Sequence, residues 1–110
     1  MAASPGFEPF EITSYPFLAG PERAAAISNN YRRIELGMRP EEVSAIPGAP
    51  DEMRTVYQPR IWRPKITGYS YWYVIRRLAG SGSVNDKRES LVRIIFGLND
   101  RVIAVDAWGL

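Results

Sequence analysis

Apolar and polar positions divide the chain into a proline-punctuated lead, a stretch of helical spacing and a tail of alternating strands. Between residues 4 and 21, Pro5, Pro9, Pro16 and Pro21 forbid a helix. Phe7, Phe10, Ile12, Tyr15, Phe17 and Leu18 are interleaved with them. That pattern predicts an extended arm lying on the domain, with a short edge strand at Glu11–Thr13. At Gly20-Pro21-Glu22 the signal changes. Proline suits the first helical position and Glu22 complements the positive end of the helix dipole. Ala24, Ile27, Tyr31 and Ile34 then recur at helical spacing, and Gly37 offers a left-handed stop. Pro40-Glu41-Glu42-Val43 opens a second, shorter helix, which Pro47-Gly48-Ala49-Pro50 ends.

Residues 51–68 read as irregular, with a brief strand at Thr55–Tyr57. Three strands follow, Tyr69–Leu78, Glu89–Phe96 and Val102–Trp108. A glycine-serine loop over residues 79–86 and a tight turn at Gly97–Arg101 join them. The expected fold class is α+β: two N-terminal helices packed on one face of a three- to four-stranded antiparallel meander. Residues 1–20 form the extended Pro/Phe-rich arm, and residues 21–110 form a single domain.

Strand side chains alternate between two faces. The charge-free sets Val92/Ile94/Phe96 and Ile103/Val105/Ala107 are expected to face the helices, together with Ser70, Trp72 and Val74. The core should therefore contain Ile27, Tyr31, Val43, Ile46, Val92, Ile94, Phe96 and Val105. Tyr69, Tyr71, Tyr73, Arg77, Arg93 and Trp108 would lie on the far face, where polar residues are usual. Such an aromatic patch is a candidate partner-binding surface, unless the arm covers it.

Charge sharpens this picture. The formal net charge is only +2, yet residues 53–85 carry Arg54, Arg60, Arg63, Lys65, Arg76 and Arg77 with no acid. Arginine, tyrosine and tryptophan together are the composition of interface hot spots, and the basic balance points to a partner protein with an acidic surface or loop. Arg60, Trp62 and Arg63 make a secondary partner-binding candidate in the same stretch. A groove for single-stranded nucleic acid uses similar residues, so a weak basic and aromatic nucleic-acid-binding domain is an alternative.

Candidate chemistry is sparse. The chain has no cysteine and no histidine, which removes thiolate nucleophiles, Cys/His metal sites and histidine-based catalytic arrangements. The acid pairs Glu41/Glu42 and Asp51/Glu52 are adjacent in sequence and do not converge on one substrate. The reading is therefore no enzyme, no catalytic residues, no metal and no cofactor. No apolar run is long enough for a membrane span, and the first ten residues lack a basic export-signal start. As written, the chain points to the cytoplasm, or to the periplasm if a leader has been removed.

The stretch from Ile34 to Pro50 carries a recognisable pattern. Gly37-Met38, Glu42-Val43, Ile46 and Gly48-Ala49-Pro50 resemble the signature shared by outer-membrane assembly lipoproteins of the SmpA/OmlA type and the β-lactamase-inhibitor proteins. Arg39 stands where that pattern has Ser or Thr, and Pro47 where it has an apolar residue. The resemblance runs from about residue 21 to 108 and implies a helix pair on an antiparallel sheet, without cofactor or catalysis. It also implies function through protein binding on the open sheet face. The functional expectation is thus a non-enzymatic protein-binding module of inhibitor or immunity type, with an envelope-assembly scaffold as the alternative.

Overall fold

The computed structural model describes residues 11–58, 65–78 and 89–110. Its elements in chain order are β1 (Phe17–Leu18), α1 (Pro21–Asn30), a 3-10 turn (Tyr31–Arg33), α2 (Pro40–Ser44), β2 (Glu52–Tyr57), β3 (Ile66–Arg77), β4 (Ser90–Gly97) and β5 (Val102–Trp108). All strand pairings among the described residues are antiparallel.

This corrects the expected fold class. Among the described residues the sheet has five strands, not three or four on which two N-terminal helices pack: β1 lies ahead of the helices and pairs out of chain order with β3, on the edge that β2 also uses. Strand makes up about 42% of the described residues against 21% helix. The cause lies in β3. Its 12 residues are long enough to take two short strands end to end on one edge. β2 pairs with residues 66–72 and β1 with Arg76 and Arg77, while β4 occupies the opposite edge. The expected edge strand at Glu11–Thr13 does not form; Phe17–Leu18 takes that role.

Between β2 and β1 the edge of β3 is closed by one residue, Asp51. The Asp51 N–H donates to the Trp72 carbonyl at 2.8 Å, and the Asp51 carboxylate accepts the Val74 N–H at 2.8 Å. Buried backbone donors left unpaired are costly, so this carboxylate replaces a missing strand. Arg23 on α1 holds the same loop. It donates to the carbonyls of Pro47, at 2.9 Å, and Ala49, and its guanidinium lies 3.3 Å from Asp51.

The helices start as proline and acid dictate but stop early. α1 gives way to the 3-10 turn after Asn30, and Ile34 is already extended. At α2, the Glu42 carboxylate accepts the Arg39 N–H at 3.0 Å, satisfying one of the orphan donors of a helix start. Gly37 and Gly48 both have positive φ, +88° and +100°, where a side chain would be strained.

The helical segments cover one sheet face. Ile27, Ile34, Val43, Tyr69, Tyr73, Val92, Ile94, Phe96 and Val102 form its buried cluster, with Tyr31, Met38, Ile46, Tyr71 and Val105 at the margin. Every residue on the expected core list lies in or against this cluster, but the set Ser70, Trp72 and Val74, also expected to face the helices, turns to the other face, where Trp72 and Val74 pack with Leu91. Ile103 and Ala107 do not join the cluster either; both are exposed. A register shift opposite Ile95 and Phe96 turns Val102 inward, at 2% exposure, in the place expected for Ile103.

Candidate functional site

The face opposite the helices is built by the other side-chain set of each strand. Register places Glu52 beside Trp72, Trp72 beside Arg93, and Arg93 beside Asp106; Val74, Leu91 and Trp108 form the next row. Trp72 is the centre. Its indole N–H donates to Ser70 Oγ at 2.9 Å, and three guanidinium carbons surround its ring: Arg54 at 4.7 Å, Arg77 at 5.0 Å and Arg93 at 5.6 Å. All three lie within the range of cation–π attraction.

Two carboxylates offset these cations. Glu52 is fully buried, 3.1 Å from Arg54 and 3.9 Å from Arg77. Asp106 accepts from Arg93 Nε at 3.3 Å and Nη2 at 2.8 Å. In the acid-free stretch Arg54 and Arg77 are thus met within the fold, whereas Lys65 and Arg76 are exposed.

The arm covers part of this face. The Ile12 N–H donates to Glu52 Oε2 at 2.8 Å, and the Tyr15 hydroxyl reaches the same oxygen at 3.5 Å. Burial, then the charge of Glu52, pushes the Tyr15 phenol above its ordinary value. Ile12 and Phe17 pack against Trp72, Val74 and Leu91. Trp72 itself keeps only 6% exposure. The β4–β5 half stays more open, with the Arg93 and Asp106 side chains 31% and 39% exposed. There Arg93 sits between two indoles, its guanidinium 5.6 Å from Trp72 and 5.1 Å from Trp108.

No family model, curated protein or solved structure matches this chain.

The six residues expected on one aromatic face are split between two. Tyr69, Tyr71 and Tyr73 lie on the helix side, so their assignment to the open face is corrected. Tyr69 and Tyr73 are buried at 4% and 0% exposure. Their hydroxyls are satisfied there: Tyr69 donates to Asp100 at 2.6 Å and Tyr73 to the Gly48 carbonyl at 2.8 Å. Tyr69 also stacks on Phe96 at 5.0 Å, and Tyr71 meets that ring edge-on at 4.8 Å. A tyrosine whose hydroxyl finds a partner buries its ring as well as phenylalanine does. Arg77 reaches the opposite face, but only 3% exposed beneath the arm's side of the cluster. Arg93 and Trp108 are on that face as expected. Arg60, Trp62 and Arg63 lie outside the described residues.

Sequence reasoning missed Trp72, Arg54, Glu52 and Asp106 as members of this surface. For Asp106 a signal existed, since the turn at Gly97–Arg101 brings it opposite Arg93. Among the described residues, no group of three His, Cys, Asp or Glu could hold a metal ion, and no helix is long and apolar enough to cross a membrane.

Proposed function

We propose that this chain is a non-enzymatic protein-binding module of inhibitor or immunity type, whose contact surface is the β4–β5 half of the helix-free sheet face. One observation carries the reading: Arg93 is clamped between Trp72 and Trp108 and tied to Asp106, on the side of the sheet the helices leave uncovered. A guanidinium and an indole held in this way have little rotamer freedom left to lose when a partner arrives. Tryptophan and arginine are also the side chains that most often dominate interface energies. The remaining groups of the face have structural duties. Glu52 is engaged by two arginines and the arm, and Ser70 accepts from Trp72 while donating to the Arg54 carbonyl. Among the described residues of this face, none stands ready as a nucleophile with a base beside it. The partner is proposed to present an acidic or aromatic loop, since Arg93 keeps donors beyond those that Asp106 takes.

The test uses the full chain immobilised beside its Trp108→Ala and Arg93→Ala variants against extract from the native source. A protein retained by the parent and lost from both variants, then measured in purified form, is expected to bind each variant about 30-fold more weakly. A retained protein that binds both variants with unchanged affinity would place the contact surface elsewhere.

A further inference from the structure

The two edges of the sheet are finished differently. On the β3 side, the edge is broken into a two-residue and a six-residue strand, with a register shift between Val56 and Tyr57, and Pro50 and Pro59 bracket β2 in sequence. Those are ordinary means of blunting an edge. β5 closes the other side and shares only one of them, the register shift that leaves Ile103 without a partner in β4. Its seven residues, Val102–Trp108, contain no proline and no lysine, and the single charge, Asp106, is taken up by Arg93.

Register shows which backbone groups of β5 point outward. The Trp72 carbonyl and the Val74 N–H face the β2 side, so Tyr71 and Tyr73 face β4. Their partners Ile94 and Val92 therefore face β3, and Arg93 faces β5 at Asp106. Val105 and Ala107, the alternate residues of β5, turn their N–H and C=O away from the sheet. At the head of the strand Val102 is already closed off: its carbonyl accepts from Gly37 and its N–H donates to Met38, both at 2.9 Å. Among the described residues nothing pairs with Val105 and Ala107 on that side. The side chains beside this free edge are apolar. Ile103 is 57% exposed, and Leu36, next to the Gly37 clamp, is 70% exposed.

We infer that the Ile103–Ala107 edge is the seam of a homodimer, in which a second copy of the chain pairs its own β5 antiparallel about a two-fold axis at Val105. The pattern of the strand is self-complementary in that register. Ile103 meets Ala107 of the second copy, Ala104 meets its Asp106, and the two Val105 residues exchange N–H and C=O. Each larger side chain lies opposite a small one, and no like charges face each other. The next register, centred on Asp106, would set two carboxylates directly opposite, an unfavourable cross-strand pair. Antiparallel closure about a two-fold axis leaves no further copy to add at that edge, as is usual for soluble oligomers. Two five-stranded sheets then form one continuous sheet. This seam uses backbone groups and the helix-side residues of β5, so it stands or falls independently of the contact surface at Trp108.

Sedimentation analysis of the full chain from micromolar to millimolar concentration tests the seam. A reversible monomer–dimer equilibrium is expected, with amide exchange at Val105 and Ala107 slowing as the dimer fills. Val105→Pro removes an outward N–H without touching the pairing to β4, and Ile103→Lys places a charge on the edge while leaving the backbone alone. Each should weaken the dimer about tenfold or more with circular dichroism unchanged; should the proline variant fail to fold, the lysine variant decides. A chain that stays monomeric throughout, or a dimer indifferent to Ile103→Lys, overturns the inference.

Discussion

Replacing Tyr73 by alanine should bring the protein close to unfolding, because this ring is fully buried beneath the helices and its hydroxyl holds the loop before β2. The side chain has 0% exposure, donates to the Gly48 carbonyl at 2.8 Å and lies under the Arg23 guanidinium, 5.4 Å from the ring centre. Truncating a large buried aromatic costs about 3–5 kcal/mol. The lost hydrogen bond adds about 1 kcal/mol. Together, about 4–6 kcal/mol is set against a total stability of about 5–15 kcal/mol for a small domain. Tyr73→Phe isolates the hydroxyl and should cost about 1 kcal/mol, a Tm drop of about 4–8 °C. Urea unfolding followed by tryptophan fluorescence measures both, provided the slope m is unchanged. If Tyr73 lay on an open sheet face, both substitutions would be nearly neutral. A cost below about 1 kcal/mol for Tyr73→Ala would refute the helix-side placement.

The same burial makes a prediction about pH. Burial, reinforced by neighbouring Tyr71, pushes the Tyr73 phenol well above its ordinary value, and burial raises Tyr71 as well. Unfolded tyrosines ionise near pH 10, whereas these two hold their protons in the fold. Their contribution is therefore complete below about pH 10 and is lost as pH rises above it; Tyr73→Phe should flatten that decline, as urea midpoints across the range would show. Gly68→Ala should be severely destabilising, because an added Cβ would sit 1.9 Å from the Phe96 carbonyl oxygen, and thermal unfolding would detect it. Asp51→Ala and Arg23→Ala should each cost about 1–3 kcal/mol and be strongly non-additive, with a coupling above about 0.5 kcal/mol in a double-mutant cycle, because both hold one loop. Glu52→Gln, which strips the charge from a buried carboxylate set between two arginines, should cost about 3–5 kcal/mol in urea unfolding and loosen residues 12–15 to protease.

What could be read from the sequence depended on whether competing patterns pointed the same way. Pro21-Glu22 and Pro40-Glu41 mark helix starts through two independent preferences, and both helices begin there. β4 has an unambiguous phase because Arg93 falls in one set while Val92, Ile94 and Phe96 fill the other. β3 has no such asymmetry: Tyr69, Tyr71 and Tyr73 alternate with Ser70, Trp72 and Val74, and apart from half-buried Tyr71 both sets are buried, so a one-residue change of phase cannot be told from alternation. The decision is made by partners distant in sequence, Asp100 and Gly48 for two tyrosine hydroxyls, and the arm and three arginines for Trp72. β1 is invisible for a different reason. Two residues carry no period, and Phe17–Leu18 is a strand only because the end of β3 extends past β2. The shift that exchanges Val102 for Ile103 is likewise a property of paired strands, absent from either strand alone.

The dissociation constant of the purified partner for Trp108→Ala and Tyr71→Phe, measured side by side with the parent chain, tests the central claim that the binding face is the one opposite the tyrosines. Trp108→Ala should weaken binding about 30-fold, and Tyr71→Phe, on the helix side, should leave it unchanged. The reverse order, with Tyr71→Phe impaired and Trp108→Ala at the parental value, would contradict it.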